Sequence, residues 1–333
     1  MSNSGQSLSM DRFKILSEVG VGGMGKVFQA VEHNSNKVLA LKVMHNHLKN
    51  DPTNRMRFER EARVAIDLHH KNIVEVTAFG FTENNEPFIV MEFLEGVSLQ
   101  DVLKQKLRLN LPEFFEAFDG VCDGLSHAHE SNVVHRDIKP SNIMLVAGDF
   151  KQSKIVDFGI AKVCKQTGEV CPETASAIKS MVQPSHAPAG EQNSTSIEET
   201  IKILMSQEGS SVLQDLTQPG EIFGSPLYLS PEQCIGEEAD CRSEVYTLGC
   251  VMFESLTGSP CLKGSNAMET LLLRVQNDAP SINEVYEGLE FPVELERVVA
   301  KALRRNPDER YQSVQELGTA LREARELLYD RSI

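Results

Sequence analysis

The sequence predicts an α+β fold in which a small, β-rich N-terminal lobe with one main helix precedes a larger, mainly helical C-terminal lobe. Two observations predict this division. Strand-like segments dominate the chain up to Phe93, with one helical segment among them, whereas from Leu99 onward most segments have helical periodicity. The predicted boundaries are a disordered N-terminus at residues 1–10, an N-terminal lobe at 11–93, a C-terminal lobe at 94–328 and a tail at 329–333.

The N-terminal lobe contains several predicted strands and one helix. Apolar and polar residues alternate from Phe13 to Val19, which is the pattern of a half-buried strand. A polar turn at His33–Asn36 separates two further strands and predicts a hairpin. The predicted helix runs from Thr53 to His69. The remaining predicted strands are residues 27–31, 38–43, 73–81 and 87–93.

The C-terminal lobe is predicted from its helical periodicity. Its last helix begins at Ser313, and a capping box of Ser313 and Glu316 is typical of such a start. The region from Val163 to Gly220 is rich in Ser, Thr, Gln, Glu and Pro, which is typical of functional or disordered insertions. The predicted helices are residues 111–131, 243–257, 267–277, 293–303 and 313–328.

The composition excludes several classes of protein. The chain has 333 residues, 41% of them hydrophobic, and its net charge of −15 argues against a nucleic-acid or anionic-membrane binder. No apolar run is long enough to predict a membrane span, and the Ser-rich N-terminus does not resemble a signal peptide. The seven cysteines form no C-x-x-C pair. We therefore expect reduced thiols in a cytoplasmic protein rather than a zinc site.

The stretch from Gly20 to Val27, GVGGMGKV, matches more than one phosphate-binding pattern. The dinucleotide-binding and P-loop patterns both need a helix directly after the glycines, because the helix N-terminus binds the phosphate. A strand, a turn and a second strand are predicted here instead. The glycines are therefore predicted to form a β-hairpin over a bound phosphate, with Lys26 facing solvent.

Three later stretches carry unusual polar residues. The run HRDIKPSN at His135–Asn142 places six polar side chains in eight positions, which a core strand would not tolerate without partners or ligands. Asp157-Phe158-Gly159 and the stretch GSPLYLSPE at Gly224–Glu232 follow it. Each motif is weak alone, but their order and spacing together are specific.

In this order, the motifs resemble those of eukaryotic-type serine/threonine protein kinases, and of the bacterial branch in particular. The resemblance covers about Arg12 to Leu328, and the residues at Gly22–Gly25 and Leu229–Gln233 favour the bacterial branch. It implies a bilobal protein kinase fold that transfers the γ-phosphate of ATP to Ser or Thr hydroxyls of protein substrates. It also implies autophosphorylation, with a homodimer as one arrangement for that reaction.

The resemblance assigns most ATP contacts to the N-terminal lobe. Lys42 would hold the α- and β-phosphates, and Glu61 would orient it, with Glu59 as the second choice. The hairpin residues over the phosphates would be Gly20, Val21, Gly22, Gly23, Met24 and Gly25. The apolar adenine slot would comprise Val19, Val27, Ala40, Met144 and the gatekeeper Met91, with the backbone from Glu92 to Leu94 bonding the adenine edge.

The resemblance also assigns the residues of phosphoryl transfer. Asp137 would accept the proton from the substrate hydroxyl or orient it, and Lys139 would steady the transferring phosphate. Asn142 and Asp157 would bind Mg²⁺, with Mn²⁺ as an alternative, because these ions favour carboxylate and amide oxygens. His135 and Phe158 are expected to be packing residues.

Two features depart from the family pattern. Glu244 stands where the family usually has an aspartate that accepts hydrogen bonds from the catalytic loop, which puts efficiency in doubt more than identity. The activation segment from Asp157 to Glu232 is far longer than the family norm, with an insertion at about 163–216. Glu232 and Arg310 resemble the buried ion pair that anchors the end of this segment.

The insertion is expected to carry regulation. Arg136 precedes the catalytic aspartate, and in the family such an arginine often pairs with a phosphate on the activation segment. Thr217 is the leading candidate for that phosphate, and Ser225 stands where the family often has a threonine that contacts the catalytic residues. The amphipathic stretch Ile197–Met205 is a candidate docking segment.

Two alternatives remain from the sequence. The first is a pseudokinase that binds ATP as a scaffold or signalling module, against which the presence of Lys42, Asp137, Asn142 and Asp157 argues. The second is a small-molecule kinase of related fold, against which the segment Ser230–Glu232 argues.

Overall fold

Five strands form an antiparallel sheet in the first hundred residues. In the computed structural model these are β1 (Phe13–Gly22), β2 (Gly25–Glu32), β3 (Val38–Met44), β4 (Val76–Phe81) and β5 (Pro87–Glu92), in the order β1-β2-β3-β5-β4. The structure describes residues 10–22, 25–44, 52–158, 175–176, 178–179, 225–285, 288 and 290–330.

Both faces of this sheet carry buried apolar side chains. Side chains alternate along a strand, so Leu39 and Leu41 of β3 pack with Phe88 of β5 on one face. Ala40 and Met44 pack on the other face, against helix α1 (Pro52–Asp67). Lys42 belongs to this second set of alternating positions, which places a buried cation on the face of the sheet that α1 covers.

A second, three-stranded sheet was not predicted. It consists of β6 (Gly96–Ser98), β7 (Ile143–Val146) and β8 (Ser153–Ile155), which pair antiparallel in that order. Strands of three or four residues are too short to show a period of two. Only the pairing of segments far apart in the chain defines them.

Each predicted helix of the C-terminal half is present, with ends that differ by at most a few residues, and the short helices at Leu99–Lys106 and Pro231–Cys234 were not predicted. Helix α5 (Cys241–Thr257) shows no single apolar face in the sequence because almost all of its residues are buried. The last helix keeps half of the predicted capping box: Ser313 Oγ accepts from Glu316 N, whereas Glu316 accepts from the backbone of Gln312. The helices are α2 (Leu99–Lys106), α3 (Leu111–Glu130), α4 (Pro231–Cys234), α5 (Cys241–Thr257), α6 (Ala267–Gln276), α7 (Val293–Ala302) and α8 (Val314–Asp330).

By its internal contacts the chain divides into two compact units. The first contains Met1–Leu99, Gly120–Arg136 and Ser141–Thr167, and the second contains Gln100–Asp119, Asp137–Pro140 and Gly168–Ile333. Within the described residues, no helix has the length and apolar character needed to cross a membrane.

The start of α5 yields a first prediction. Asp240 is its N-cap and accepts hydrogen bonds from the backbone N–H groups of Arg242 and Ser243. Replacing Asp240 with alanine is expected to lower the free energy of unfolding by about 1 kcal/mol, because these N–H groups lose their acceptor. Chemical denaturation followed by circular dichroism would measure the loss. Asp240→Asn retains a capping oxygen and serves as the control, and equal losses in both variants would contradict the capping role.

Candidate active site

Lys42 of β3 is the central charged residue of the first unit. Its side chain is only 7% exposed, and its Nζ lies 2.7 Å from Oδ1 of Asp157, whose side chain is 28% exposed. Burying an ammonium group is costly unless it is paired, and Asp157 supplies the opposite charge. The structure therefore brings together two of the predicted site residues that lie more than a hundred positions apart in the chain.

The backbone around Asp157 is held in an unusual conformation. Asp157 has a φ of 66°, which costs a non-glycine residue roughly 1–3 kcal/mol and persists only where the surroundings enforce it. On one side, the backbone N–H of Val156 donates to Asn142 O at 3.0 Å. On the other, Phe158 is buried and its ring packs edge-on against His135, whose Nε2 lies 2.8 Å from Val156 O. These contacts fix the direction of the Asp157 carboxylate.

The same contacts position two further residues of the predicted motif. His135 is fully buried and is bound to the backbone, as expected for a packing residue. Asn142 is buried at the start of β7, and its main chain is bonded to the residue before Asp157. The two predicted metal ligands therefore lie on neighbouring segments.

The glycine-rich hairpin is formed by β1 and β2. Gly22 pairs with Gly25 across the turn, while Gly23 and Met24 lie outside the described residues. A side chain on Gly25 would collide with the carbonyl oxygen of Val43, so the sheet itself requires this glycine. By contrast, a Cβ on Gly20 would meet no atom within 4 Å. Packing does not require glycine at position 20, which is consistent with close approach of a ligand to the backbone.

Two other hairpin residues are exposed. Lys26 forms a surface ion pair with Glu18, with Nζ and Oε2 2.9 Å apart, so it faces solvent as predicted. Val21 is 64% exposed although it is apolar.

Three of the predicted adenine-slot residues belong to one apolar cluster of the first unit, together with Leu94 of the backbone stretch predicted to bond the adenine edge. Ala40 and Met91 are directly opposite each other on β3 and β5, and both are buried. Val27 and Leu94 are half-buried and pack against the same cluster. The other two predicted slot residues lie outside this cluster. Val19 is at a register shift of β1 and is 49% exposed. Met144 is half-buried on β7.

Glu92 has more contacts than the sequence indicated. Its backbone N–H donates to Glu75 O at 2.9 Å. Its carboxylate accepts from Glu75 N at 2.8 Å and forms an ion pair with Lys154 at 2.6 Å. The backbone N–H of Glu92 is therefore already hydrogen-bonded within the protein. The ion pair with Lys154 of β8 could not be predicted, because no local sequence signal links that residue to β5.

Glu61 lies on α1, as predicted, but its side chain is outside the described residues. Glu59, the second choice, is half-buried on the same helix.

The second unit contains the predicted base and its lysine. Asp137 is buried, and its Oδ2 lies 2.8 Å from Nζ of Lys139. The residue before it, Arg136, has a φ of 68°, a second strained non-glycine position in the predicted catalytic loop. The ion pair keeps the lysine beside the carboxylate, so one group that can accept a proton and one that can hold a phosphate lie together.

The predicted pair of Glu232 and Arg310 is present and bidentate. Nη1 and Nη2 of Arg310 lie 2.8 and 2.9 Å from the two carboxylate oxygens, and Ser243 Oγ also donates to Glu232. Burial alone would raise the pKa of Glu232, but the hydrogen bonds and charge of Arg310 outweigh it and the pKa is lowered. The remaining guanidinium hydrogens bond to carbonyl oxygens of Arg242, Arg304 and Arg305.

Glu244, the departure from the family pattern, is buried in the first turn of α5. A carboxylate is favourable there, because the N-terminal end of a helix carries positive partial charge.

A short piece of the activation-segment insertion packs on the second unit. Ile178 is fully buried in an apolar cluster with Leu229 of the GSPLYLSPE stretch and with residues of α4 and α6. Next to it, Lys179 forms an ion pair with Glu237 at 3.1 Å. The predicted docking segment, Ile197–Met205, lies outside the described residues, as do Thr217 and Gly159. The packing of Ile178 was not predicted, because a single isoleucine in a Ser-rich segment shows no hydrophobic periodicity.

Comparisons with known proteins agree with this geometry. Residues 13–183 match the family model described as the protein kinase domain. Over 310 residues the chain is 32% identical to the serine/threonine-protein kinase PknB of Mycobacterium tuberculosis, covering 92% of this chain and 42% of that protein. It is 31% identical to the probable serine/threonine-protein kinase PknB of Lactococcus lactis, covering 93% and 41%.

The chain thus spans about two-fifths of the length of these curated relatives. Among solved structures, the kinase domain of M. tuberculosis PknI aligns with a TM-score of 0.64 at 22% identity, covering 96% of this chain and 99% of that one. This likeness confirms the predicted fold. The matches to the family model and to the bacterial relatives show that the chain belongs to the protein kinase family, in the branch of the bacterial serine/threonine kinases.

Proposed function

We propose that this chain is an active serine/threonine kinase that transfers the γ-phosphate of ATP to protein hydroxyls. The observation that carries the proposal is the buried ion pair of Lys42 and Asp157. It places a cation for phosphate oxygens beside a carboxylate for a metal ion, as phosphoryl transfer requires. A scaffold without turnover would have no need to keep Asp157 in a strained conformation.

The donor set suits Mg²⁺ or Mn²⁺. Asp157 and Asn142 offer a carboxylate and an amide oxygen, which are hard ligands, and the backbone bond between Val156 and Asn142 keeps their segments adjacent. When bound there, the ion would neutralise phosphate charge. Asp137 would take up the proton of the substrate hydroxyl, Lys139 would bind the transferring phosphoryl group and Lys42 the α- and β-phosphates. Glu61 would orient Lys42.

The nucleotide would bind against the first unit. The hairpin residues Gly20 to Gly25 would cover the phosphates, and Gly20 would let the backbone approach them. Val27, Ala40, Met91 and Leu94 would contact the adenine from their shared cluster, with Val19 and Met144 completing the slot. Because the N–H of Glu92 is already bonded to Glu75, other backbone groups between Glu92 and Leu94 would bind the adenine edge.

The direct test is transfer of labelled γ-phosphate to a generic protein substrate and to the kinase itself. Asp157→Asn is expected to lower the transfer rate by about 10²-fold or more, because a charge that stabilises the reacting phosphate is lost. Asp149→Asn is the matched control, since Asp149 is the half-buried N-cap of a short 3₁₀ turn in the same unit. Absence of transfer by the folded wild-type protein, with ATP binding intact, would favour the pseudokinase alternative.

Autophosphorylation of the activation segment is a separate part of the proposal. Arg136 directly precedes Asp137, and its guanidinium would bind a phosphate of charge about −2 on Thr217. We expect phosphosite mapping after incubation with Mg-ATP to find Thr217 modified, and the Asp157→Asn protein to lack the modification. An active enzyme with no phosphate between Lys162 and Ser225 would contradict it. Dilution would test a homodimer. The rate per molecule of phosphate transfer between two copies falls when the protein is diluted, whereas the rate of transfer within one copy stays the same.

A further inference from the structure

A buried arginine and two cysteines form a cluster in the second unit, outside the site described above. Arg274 of α6 is fully buried. Its Nε donates to Pro226 O at 2.9 Å, and its Nη1 lies 3.2 Å from Cys250 Sγ and 3.5 Å from the Tyr246 hydroxyl. In the part of the chain that the structure describes, its Nη2 has no hydrogen-bond partner. Arg274 therefore ties the GSPLYLSPE stretch to the core of this unit.

The charge of Arg274 needs an anion. An arginine side chain stays protonated in proteins, and a buried charge is costly unless it is paired. Among the described residues, its guanidinium contacts a carbonyl, a phenol and a thiol rather than a carboxylate. The cysteines are therefore the groups that can supply a negative charge.

Two cysteines are in contact at this place. Cys250 lies on α5, Cys261 lies in the loop that follows α5, and their sulfur atoms are 3.6 Å apart. The pKa of Cys261 is lowered to about 7, because the hydrogen bond with Cys250 and the charge of Arg274 outweigh burial. Burial raises the pKa of Cys250 well above its ordinary value. Near neutral pH Cys261 is therefore partly ionised to the thiolate, whereas Cys250 stays a thiol.

We propose that Cys250 and Cys261 are a redox-sensitive pair that a peroxide oxidises to a disulfide, which weakens the hold of Arg274 on Pro226. A disulfide needs its sulfur atoms about 2.05 Å apart. The loop that carries Cys261 allows this approach, because it is not part of a helix or strand.

The chemistry balances with hydrogen peroxide as the oxidant. The Cys261 thiolate attacks one peroxide oxygen and becomes a sulfenic acid, and the other oxygen leaves as water after taking up a proton. The Cys250 thiol then attacks the sulfenic sulfur, the S–S bond forms, the S–O bond breaks and a second water leaves. The two cysteines lose two electrons, which the peroxide gains.

Oxidation would remove the negative charge of the Cys261 thiolate, while the guanidinium of Arg274 would keep its positive charge. The arginine would then be buried without a counter-charge, and its bond to Pro226 would become less favourable. If the proposed function holds, residues 225–229 belong to the substrate-binding loop, so oxidation would weaken protein-substrate binding more than ATP binding.

The disulfide can be mapped directly because of the cleavage sites around it. Cys250 and Cys261 share one tryptic peptide, Ser243–Lys263, and a glutamate-specific protease separates them after Glu254. After peroxide treatment of the whole chain, we expect one linked species that a reductant splits. Cys250→Ala and Cys261→Ala should each abolish it. Cys122→Ala, a buried helical cysteine of the other unit, is the matched control and should leave it unchanged.

The pH dependence of oxidation tests the role of the arginine. The reacting form is the thiolate, so the wild-type oxidation rate should rise through pH of about 7 and then level off. Arg274→Met should slow oxidation at pH 7 about fivefold, because raising a thiol pKa of about 7 by one unit leaves roughly a tenth of the thiol ionised instead of half, and Arg274→Lys should restore part of the rate. The titratable groups that face Cys261 are Cys250, Tyr246 and Arg274. Cys234 faces Arg274, and burial raises the pKa of Cys234 to about 12.

A structural readout keeps this proposal separate from the kinase proposal. Hydrogen exchange of residues 225–229 should become faster on oxidation and return on reduction, whether or not the chain transfers phosphate. Three results would overturn the proposal: folded wild-type protein with no Cys250–Cys261 link, a link from Cys261 to another cysteine instead, or unchanged exchange in the fully linked protein. In a protein that transfers phosphate, a rise in KM for the protein substrate with an unchanged KM for ATP is the expected kinetic result.

Discussion

Replacing Asp137 with asparagine is expected to lower phosphoryl transfer by about 10²–10⁴-fold, the usual contribution of a positioned acid or base. The physical reason is that an amide cannot take up the proton of the substrate hydroxyl. It also leaves Lys139 without the carboxylate that holds it at 2.8 Å. The KM for ATP should change little, because Asp137 acts on the substrate hydroxyl and is not one of the residues predicted to bind the nucleotide. Initial rates with labelled ATP over a range of ATP concentrations would measure both quantities.

The chain offers a matched control for this variant. Asp101 and Lys104 of α2 form an ion pair in the same unit, but the pair is exposed, with the atoms 3.7 Å apart. Asp101→Asn removes the same charge and should leave the rate unchanged. Equal labelling by Asp137→Asn and by the wild type would reject the assignment of Asp137. A shared loss of activity in both Asp→Asn variants would indicate a general effect of charge rather than catalysis.

Replacing Arg310 with methionine is expected to lower the free energy of unfolding by about 3–5 kcal/mol, the usual cost of breaking a buried ion pair. Glu232 would keep a buried charge that still accepts a hydrogen bond from the Ser243 hydroxyl. The carbonyl groups of Arg242, Arg304 and Arg305 would lose their donors as well. Adding Glu232→Gln removes the unpaired charge, so the double variant should recover part of the loss. Urea unfolding followed by circular dichroism would measure all three proteins.

The effect of pH follows from the pKa of Glu232. This pKa is lowered from its ordinary value of 4.5 in the folded protein, so folding favours the ionised form. The resulting stability is present above the unfolded pKa and is lost as the pH falls through the lower, folded pKa. The difference in the free energy of unfolding between wild type and Arg310→Met should therefore be largest at neutral pH and become smaller in acid.

An exposed ion pair tests whether burial is the cause of the large loss of stability expected for Arg310→Met. Arg242 and Asp308 are 2.6 Å apart, but the side chain of Asp308 is 80% exposed. Asp308→Asn should cost less than about 1 kcal/mol. A loss as large as that of Arg310→Met, or a loss from Arg310→Met that does not depend on pH, would contradict the account.

The sequence by itself determined the order and type of most elements. Alternation predicted the strands of the first sheet, helical periodicity predicted the helices of the C-terminal half, and the strand after Gly25 excluded a P-loop. These signals are local, because each depends on residues that are neighbours along a strand or a helix. The pair of Glu232 and Arg310 was also found, but only through the family resemblance.

Tertiary structure decided the rest, because the missing facts are contacts between distant segments. The three strands of the second sheet are too short to have a period and exist only through their pairing. The sequence indicated Lys42 and Asp157 separately, but the fold places them 2.7 Å apart. Likewise, Arg274, Cys250 and Cys261 appear in the sequence as unrelated residues of two helices and a loop. Burial and proximity, which depend on the whole chain, make them one charged cluster.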